Sequence, residues 1–225
     1  MDRTTAEQII AAREARRPVA LVTLLASGAQ RMVARGEDAG LGDAVNEAFR
    51  RDRSGTVDTP EGEVFVRVYN PPLRMLIIGA VHTAQFLVPL AAMTGYDVTI
   101  IDPRGAFATD ERFPGVKLIA EWPDEVLPAL DLDARTVLIA LTHDPKIDDV
   151  ALKLALASDC FYIGALGSTR THAKRLDRLK AAGAADETLG RIHAPIGLDM
   201  GAQGPAEIAL SIMGQVTAVL RGKGR

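Results

Sequence analysis

Arg74-Met75-Leu76-Ile77-Ile78-Gly79-Ala80-Val81-His82-Thr83-Ala84 is the stretch that decides the fold. An apolar run ends on a glycine, and a helical stretch over His82–Thr94 follows at once. A buried strand that turns tightly into a helix reads this way. The same grammar repeats downstream. Strands are expected at Arg74–Ile78, Asp97–Ile101, Val116–Ala120, Thr136–Leu141 and Cys160–Ile163, with helices at His82–Thr94, Pro123–Leu130, Lys146–Ala157 and Thr169–Ala182. Short apolar runs alternating with helices mark a parallel sheet, because parallel strands need a long crossover between them. The expectation is an α/β protein with a doubly wound parallel sheet. A last helix, Pro205–Leu220, has proline in its first turn and carries Ile208, Ile212, Val216 and Val219 at helical spacing.

Working outward from that stretch, Pro71 and Pro72 interrupt regular structure, since each lacks an amide donor and restricts the residue before it. We expect a boundary there, giving a small N-terminal α/β domain at residues 1–72 and the parallel-sheet domain at residues 73–225. In the first, a helix is expected over Thr5–Arg16 with Thr5 as its cap, strands at Val19–Leu25 and Arg31–Ala34, a helix at Gly42–Arg50 and a strand at Glu63–Val68. Val64, Val66 and Val68 alternate as in a half-buried strand. The 225 residues are 48% hydrophobic and 24% charged with a net charge of −3, which argues for a globular chain and against nucleic acid or an anionic membrane as partner. One cysteine, Cys160, permits no internal disulfide and fits a reducing, cytoplasmic setting. Met1 to Arg17 has no apolar core of a secretory signal.

Ligands of open parallel sheets sit beyond the carboxyl ends of the strands, where strand order reverses. Gly79, Ala80, Val81 and His82 occupy the place of a dinucleotide glycine loop, with Gly79 first and Ala84 third. Val81 stands where the second glycine would let a pyrophosphate approach. Asp102 ends the second strand and could accept from a ribose; Arg104 could instead meet a phosphate. A nucleotide fold without its nucleotide is the equal alternative. Thr142, His143 and Asp144 follow the fourth strand, His143 as a proton-exchanging group and Asp144 as a helix cap before Pro145 or a site residue. After the fifth strand, Gly164, Gly167, Ser168, Arg170 and Lys174 suggest an oxyanion site at a helix start, with Arg175, Arg178 and Lys180 on the solvated face. Ser168 or Thr169 alternatively caps that helix. His193 and Gly197 lie in a Gly- and Pro-rich loop leading to the last helix. His82, His143, His172 and His193 match no zinc spacing, and Cys160 reads as a small buried hydrophobe.

At these loops the chain resembles the XdhC/CoxI family of accessory proteins of molybdenum hydroxylases such as xanthine dehydrogenase and carbon monoxide dehydrogenase. The resemblance covers Leu73 to Gly222. It rests on Gly79–Gln85, on Ile101-Asp102-Pro103-Arg104 with Phe107–Thr109 and Glu111–Pro114, on Leu141–Asp144, on Tyr162–Ser168 and on Arg191–Gly201. It implies a Rossmann-like domain that binds the molybdenum cofactor, assists its sulfuration and hands it to an apo-enzyme, as a chaperone and not a catalyst. The implied partners are a molybdenum hydroxylase apo-enzyme, a cysteine desulfurase-type sulfur donor and a second copy in a homodimer. On this view Gly167, Ser168 and Arg170 hold phosphate, and His143, Asp144 and His193 face the pterin or the metal's oxo groups. Family members carry a Gly-Gly-Cys amino-terminal segment and a glycine at the position of Val81, and residues 1–72 lack the former. The competing readings are an NAD(P)-dependent oxidoreductase, weakened by Val81, with Asp102 on the ribose and His143 as proton donor, and a scaffold that docks partners without holding a ligand.

Overall fold

The structure, a computed structural model, describes residues 2–37, 39–41 and 43–223, which fall into two compact units, Met1–Pro71 and Pro72–Arg225. In the first unit, α1 (Arg3–Glu14) precedes β1 (Val19–Leu24), β2 (Gln30–Ala34), α2 (Asp43–Arg51), β3 (Gly55–Thr59) and β4 (Gly62–Tyr69). The cap of α1 is Asp2, not Thr5: its extended backbone lets Oδ1 accept from the Thr5 amide at 2.8 Å. The expected start of α2 at Gly42 lies outside the described residues. Its four strands pair antiparallel in the order β2-β1-β4-β3. Val64 and Val66 of β4 pack with Ala20, Val22, Val45 and Phe49 into this unit's core.

The second unit runs β5 (Leu73–Ile78), α3 (His82–Met93), β6 (Tyr96–Ile101), β7 (Lys117–Ile119), α4 (Pro123–Val126) continued by a 3-10 turn, β8 (Thr136–Ala140), α5 (Pro145–Leu156), β9 (Tyr162–Ala165), α6 (Thr169–Ala181), α7 (Asp186–Leu189), β10 (Ile192–His193) and α8 (Pro205–Leu220). All six strands are parallel, in the order β10-β9-β8-β5-β6-β7. The doubly wound Rossmann-type fold is therefore present, with its order reversing between β5 and β8. Side chains of a strand alternate between faces, and β5 shows it: Met75 and Ile77 join the core under α3 and α8, while Leu76 and Ile78 join the core under α5. Burial on both faces explains why these strands read as continuous apolar runs.

Several expected boundaries move, two of them for clear physical reasons. Cys160 does not open the fifth strand, which begins at Tyr162; the residue is buried just ahead of it, with its carbonyl accepting from Arg191 Nη2 at 2.8 Å. Likewise, the 3-10 turn Leu127–Leu130 replaces the second half of the helix expected over Pro123–Leu130, because Pro128 cannot donate to an α-helical ladder.

Candidate functional site

A loop leaves the carboxyl end of each of the six parallel strands. At the switch point the loop after β5 packs directly on the loop after β8. Gly79 has φ +112°, and a Cβ there would lie 2.7 Å from Thr142 Cγ2 and 3.3 Å from the Thr142 amide nitrogen. Only glycine tolerates both the backbone angle and that approach, so its fixed role is loop packing. The neighbouring Ala80 is fully buried, donates its amide to Asp102 Oδ2 at 2.8 Å and accepts from Arg112 Nη1 at 2.8 Å. Val81 sits at the start of α3, half-buried against the core, and His82 lies beside Phe86, ring centroids 5.3 Å apart.

Asp102 and Arg104 are open to ribose or phosphate in the sequence; in the structure they hold each other. Asp102 is 0% exposed. Oδ1 accepts from the Arg104 amide at 3.0 Å and Nε at 2.9 Å, while Oδ2 accepts from Ala80 and from Arg104 Nη2 at 2.8 Å. Burial alone would raise this carboxyl, but the Arg104 and Ala80 donors outweigh it and hold the group below its usual value. The Arg104 guanidinium also stacks over Phe107, 4.8 Å from the ring centroid. Arg112, which the sequence does not single out as a site residue, completes the closure. Its only signal is a position inside the Glu111–Pro114 segment.

The loop after β8 is organised by an acid that the sequence does not single out, Asp148. Its Oδ1 accepts from the Thr142 hydroxyl at 2.7 Å and amide at 3.2 Å, and its Oδ2 accepts from the His143 amide at 2.9 Å. Burial pushes the Asp148 carboxyl up despite these donors and nearby Arg175. His143 is held with φ 63°, a left-handed backbone that costs a non-glycine residue about 1–2 kcal/mol. Asp144 caps α5, its Oδ1 accepting from the Lys146 amide at 2.9 Å, with Pro145 as the first helical residue.

Around β9 the glycines pack and the serine caps. A Cβ on Gly164 would collide with Ile196 Cδ1, and one on Gly167 (φ +133°) would lie 3.1 Å from Thr171 Cγ2. Ser168 Oγ accepts from the Thr171 amide at 3.2 Å at the start of α6. Between the starts of α5 and α6 lies a cleft of about 150 Å³, lined by His143, Asp148, Arg170, Lys174 and Arg175 among others. Arg175 corrects the sequence reading, which placed it on the solvated face: its side chain is 2% exposed and its Nη2 donates to the Leu166 carbonyl at 2.8 Å. Burial pulls this guanidinium down, with Asp148 and Asp149 opposing. Arg178 does lie on the exposed side, paired with Asp149, and Lys180 pairs with Asp186.

His193 belongs to β10, where its ring stacks on Tyr162 at 4.6 Å between centroids, and burial lowers its pKa. Tyr162 Oη donates to Gln215 Oε1 at 2.5 Å, and the Gly197 amide donates to the same oxygen at 2.8 Å. A Cβ on Gly197 (φ +97°) would collide with Ser211 Oγ. The rim thus gathers His143, Arg170 and Lys174, of the residues expected to bind, into one cleft with Arg175. Gly79, Ala80, Val81, His82, Asp102 and Arg104 do not line it, nor do Thr142, Asp144, Gly164, Gly167, Ser168, His193 and Gly197. Among the described residues no three His, Cys, Asp or Glu side chains gather as a metal site, and no helix is long and apolar enough to cross a membrane.

Residues 75–216 match the family model described as the XdhC Rossmann domain. The chain is 33% identical over 151 residues to the molybdenum cofactor insertion chaperone PaoD of Escherichia coli (strain K12), covering 67% of this chain and 41% of that protein. It is 30% identical over 154 residues to a protein of Bacillus subtilis (strain 168) named as a probable xanthine dehydrogenase subunit, covering 68% and 44%. The uncharacterized protein YqeB of Escherichia coli (strain K12) is 30% identical over 158 residues, covering 69% and 29%. The alignments thus span less than half the length of these relatives. A solved structure described as a xanthine dehydrogenase of Bacillus halodurans superposes with a TM-score of 0.71 at 24% identity, covering 98% of this chain and 68% of that one, a likeness of fold.

Proposed function

The chain belongs to the XdhC family, and from that premise we propose that it receives the molybdenum cofactor at the rim of its parallel sheet and passes it to the apo-form of a molybdenum hydroxylase. The observation that carries this reading is how the rim is divided. Where a dinucleotide would lie, the protein's own Asp102, Arg104 and Arg112 fill the loop. Over β8 and β9, by contrast, a cleft stays open and is lined by His143, Arg170, Lys174 and Arg175. Cations beside an exposed imidazole suit a ligand with an anionic end and polar ring edges, which is the chemistry of a phosphorylated pterin. The names of the relatives, one a cofactor insertion chaperone and one a component of xanthine dehydrogenase, support the same reading.

In this role the chain binds and orients its cargo and catalyses nothing. Arg170 and His143 contact the cofactor at the mouth of the cleft, and the strained His143 backbone, fixed by Asp148, keeps the imidazole in place. Cys160 is the chain's one cysteine, it is buried, and burial pushes its thiol up. Sulfur would therefore reach the bound cofactor from a separate donor of the cysteine desulfurase type, with no relay on this chain. A cytoplasmic homodimer completes the proposal, with gel filtration as the measure of assembly.

Anaerobic isothermal titration with molybdenum cofactor tests the reading. We expect saturable uptake that falls about tenfold in His143→Ala and in Arg170→Ala. Absence of uptake by the wild-type chain, or saturable micromolar binding of NADH or NADPH in a parallel fluorescence titration, rejects it.

A further inference from the structure

A buried cation with unmet hydrogen-bond donors marks the cleft between α5 and α6. Of the three Arg175 nitrogens only Nη2 is hydrogen-bonded, to the Leu166 carbonyl at 2.8 Å. Nε and Nη1 are buried and have no hydrogen-bond partner among the described residues. A guanidinium stays protonated in proteins and offers five donors in a planar fork. Buried donors of a charged group that lack hydrogen bonds are costly to hold.

Two carboxylates are close, and neither serves it. Asp149 Oδ1 lies 4.0 Å from Nε, beyond hydrogen-bond reach, and both Asp149 oxygens are taken by Arg178 at 2.5 and 3.1 Å. Asp148 is spent on the loop after β8, accepting from Thr142 and His143. With Arg178 neutralised by Asp149, three cations, Arg170, Lys174 and Arg175, face one remaining carboxylate. The excess is positive, and it stands at the start of α6, whose amino end adds to it. Size narrows the occupant further. About 150 Å³ is below the ~300–1,000 Å³ that encloses a drug-sized molecule, so the cleft encloses one small group, and the rest of a larger cargo would lie outside it.

We propose that this cleft is a site for a tetrahedral oxyanion, met by the unpartnered donors of the Arg175 guanidinium with Arg170 and Lys174 at the mouth, and that the phosphate monoester end of the cargo docks there. The first half stands on the cleft alone; the second rests on the cofactor reading above. Ser168, expected to hold phosphate, is engaged as the cap of α6, so the grip moves one to two helical turns along that helix.

Inorganic phosphate is the probe, titrated into the 15N-labelled full chain against chloride at matched ionic strength. Saturable displacement of the Arg175 Nε–H signal by phosphate is expected, with binding weakened about tenfold or more in Arg175→Lys. Should that variant fail to fold, the pair Arg170→Ala/Lys174→Ala at the mouth supplies the same test, with a loss of about three- to tenfold. Phosphate that binds no better than chloride, or binds the paired variant as well as wild type, overturns the anion site. Cofactor uptake suppressed by inorganic phosphate and lost in the same variants supports docking of the phosphate end. Full cofactor affinity in variants that have lost phosphate overturns that docking. Phosphate binding by a wild-type chain that takes up no cofactor rejects the cofactor reading and leaves the anion site standing.

Discussion

A carboxylate that ends the second strand of a doubly wound sheet can serve a ribose or the protein's own donors, and Asp102 serves the latter. Four donors converge on it. Its folded carboxyl lies below the usual 3.8, so between the two values the unfolded chain binds more protons and stability rises with pH. That contribution is complete well above 3.8 and is lost as pH falls through the folded value. Asp102→Asn removes the charge and turns an amide donor toward existing donors. We expect a loss of about 2–4 kcal/mol at pH 7, shrinking as the pH falls below 3.8 toward the folded value. Urea unfolding of both proteins across pH 3–7 measures it, and a pH-independent difference contradicts the assignment. At this scale the sequence is only partly legible. Gly79 is visible as an obligatory glycine, but its neighbour proves to be Thr142 rather than a pyrophosphate. Arg175 looks like Lys174 and Arg178 on a basic helix, since burial of a single cation on a polar helix depends on what packs over it and leaves no mark in composition.

Elements are where local rules dominate, and most are readable. Asp144 followed by Pro145 signals a helix start twice, by an N-cap acceptor and by a first-turn proline, and α5 begins there. Asp144→Ala should cost about 1 kcal/mol, seen as a lower urea midpoint with an unchanged m-value. A change in m would mean that the cap does more than end a helix. The missed elements are those with no local signal. β3, Gly55–Thr59, carries Gly55 and Asp58, both disfavoured in strands, and exists through its pairing with β4. The two residues of β10 become a strand only because Ile163 and Gly164 lie beside them. Apolar character misleads as well as guides: Cys160 and Phe161 continue the hydrophobic run of β9, yet the strand starts at Tyr162.

On the scale of the whole molecule, a net charge of −3 predicts nothing about an anion site, because three cations within six residues, Arg170, Lys174 and Arg175, set the local field at the cleft. All of them, and the α5 residues opposite, lie in the unit Pro72–Arg225, as do the matched family residues 75–216. That unit has its own cores on both faces of its sheet, and at about 150 residues it is within the range that folds unaided. Residues 72–225 expressed alone should therefore unfold cooperatively and bind inorganic phosphate within about twofold of the full chain, with affinity falling as chloride rises because screening weakens an ionic site open to solvent. Phosphate titration of the truncated and full chains at two salt concentrations decides it. Loss of phosphate binding by a folded 72–225 fragment would mean that the cleft described by Arg170, Lys174 and Arg175 is incomplete without residues 1–71. An affinity indifferent to salt would mean that the bound ion is held by something other than those three charges.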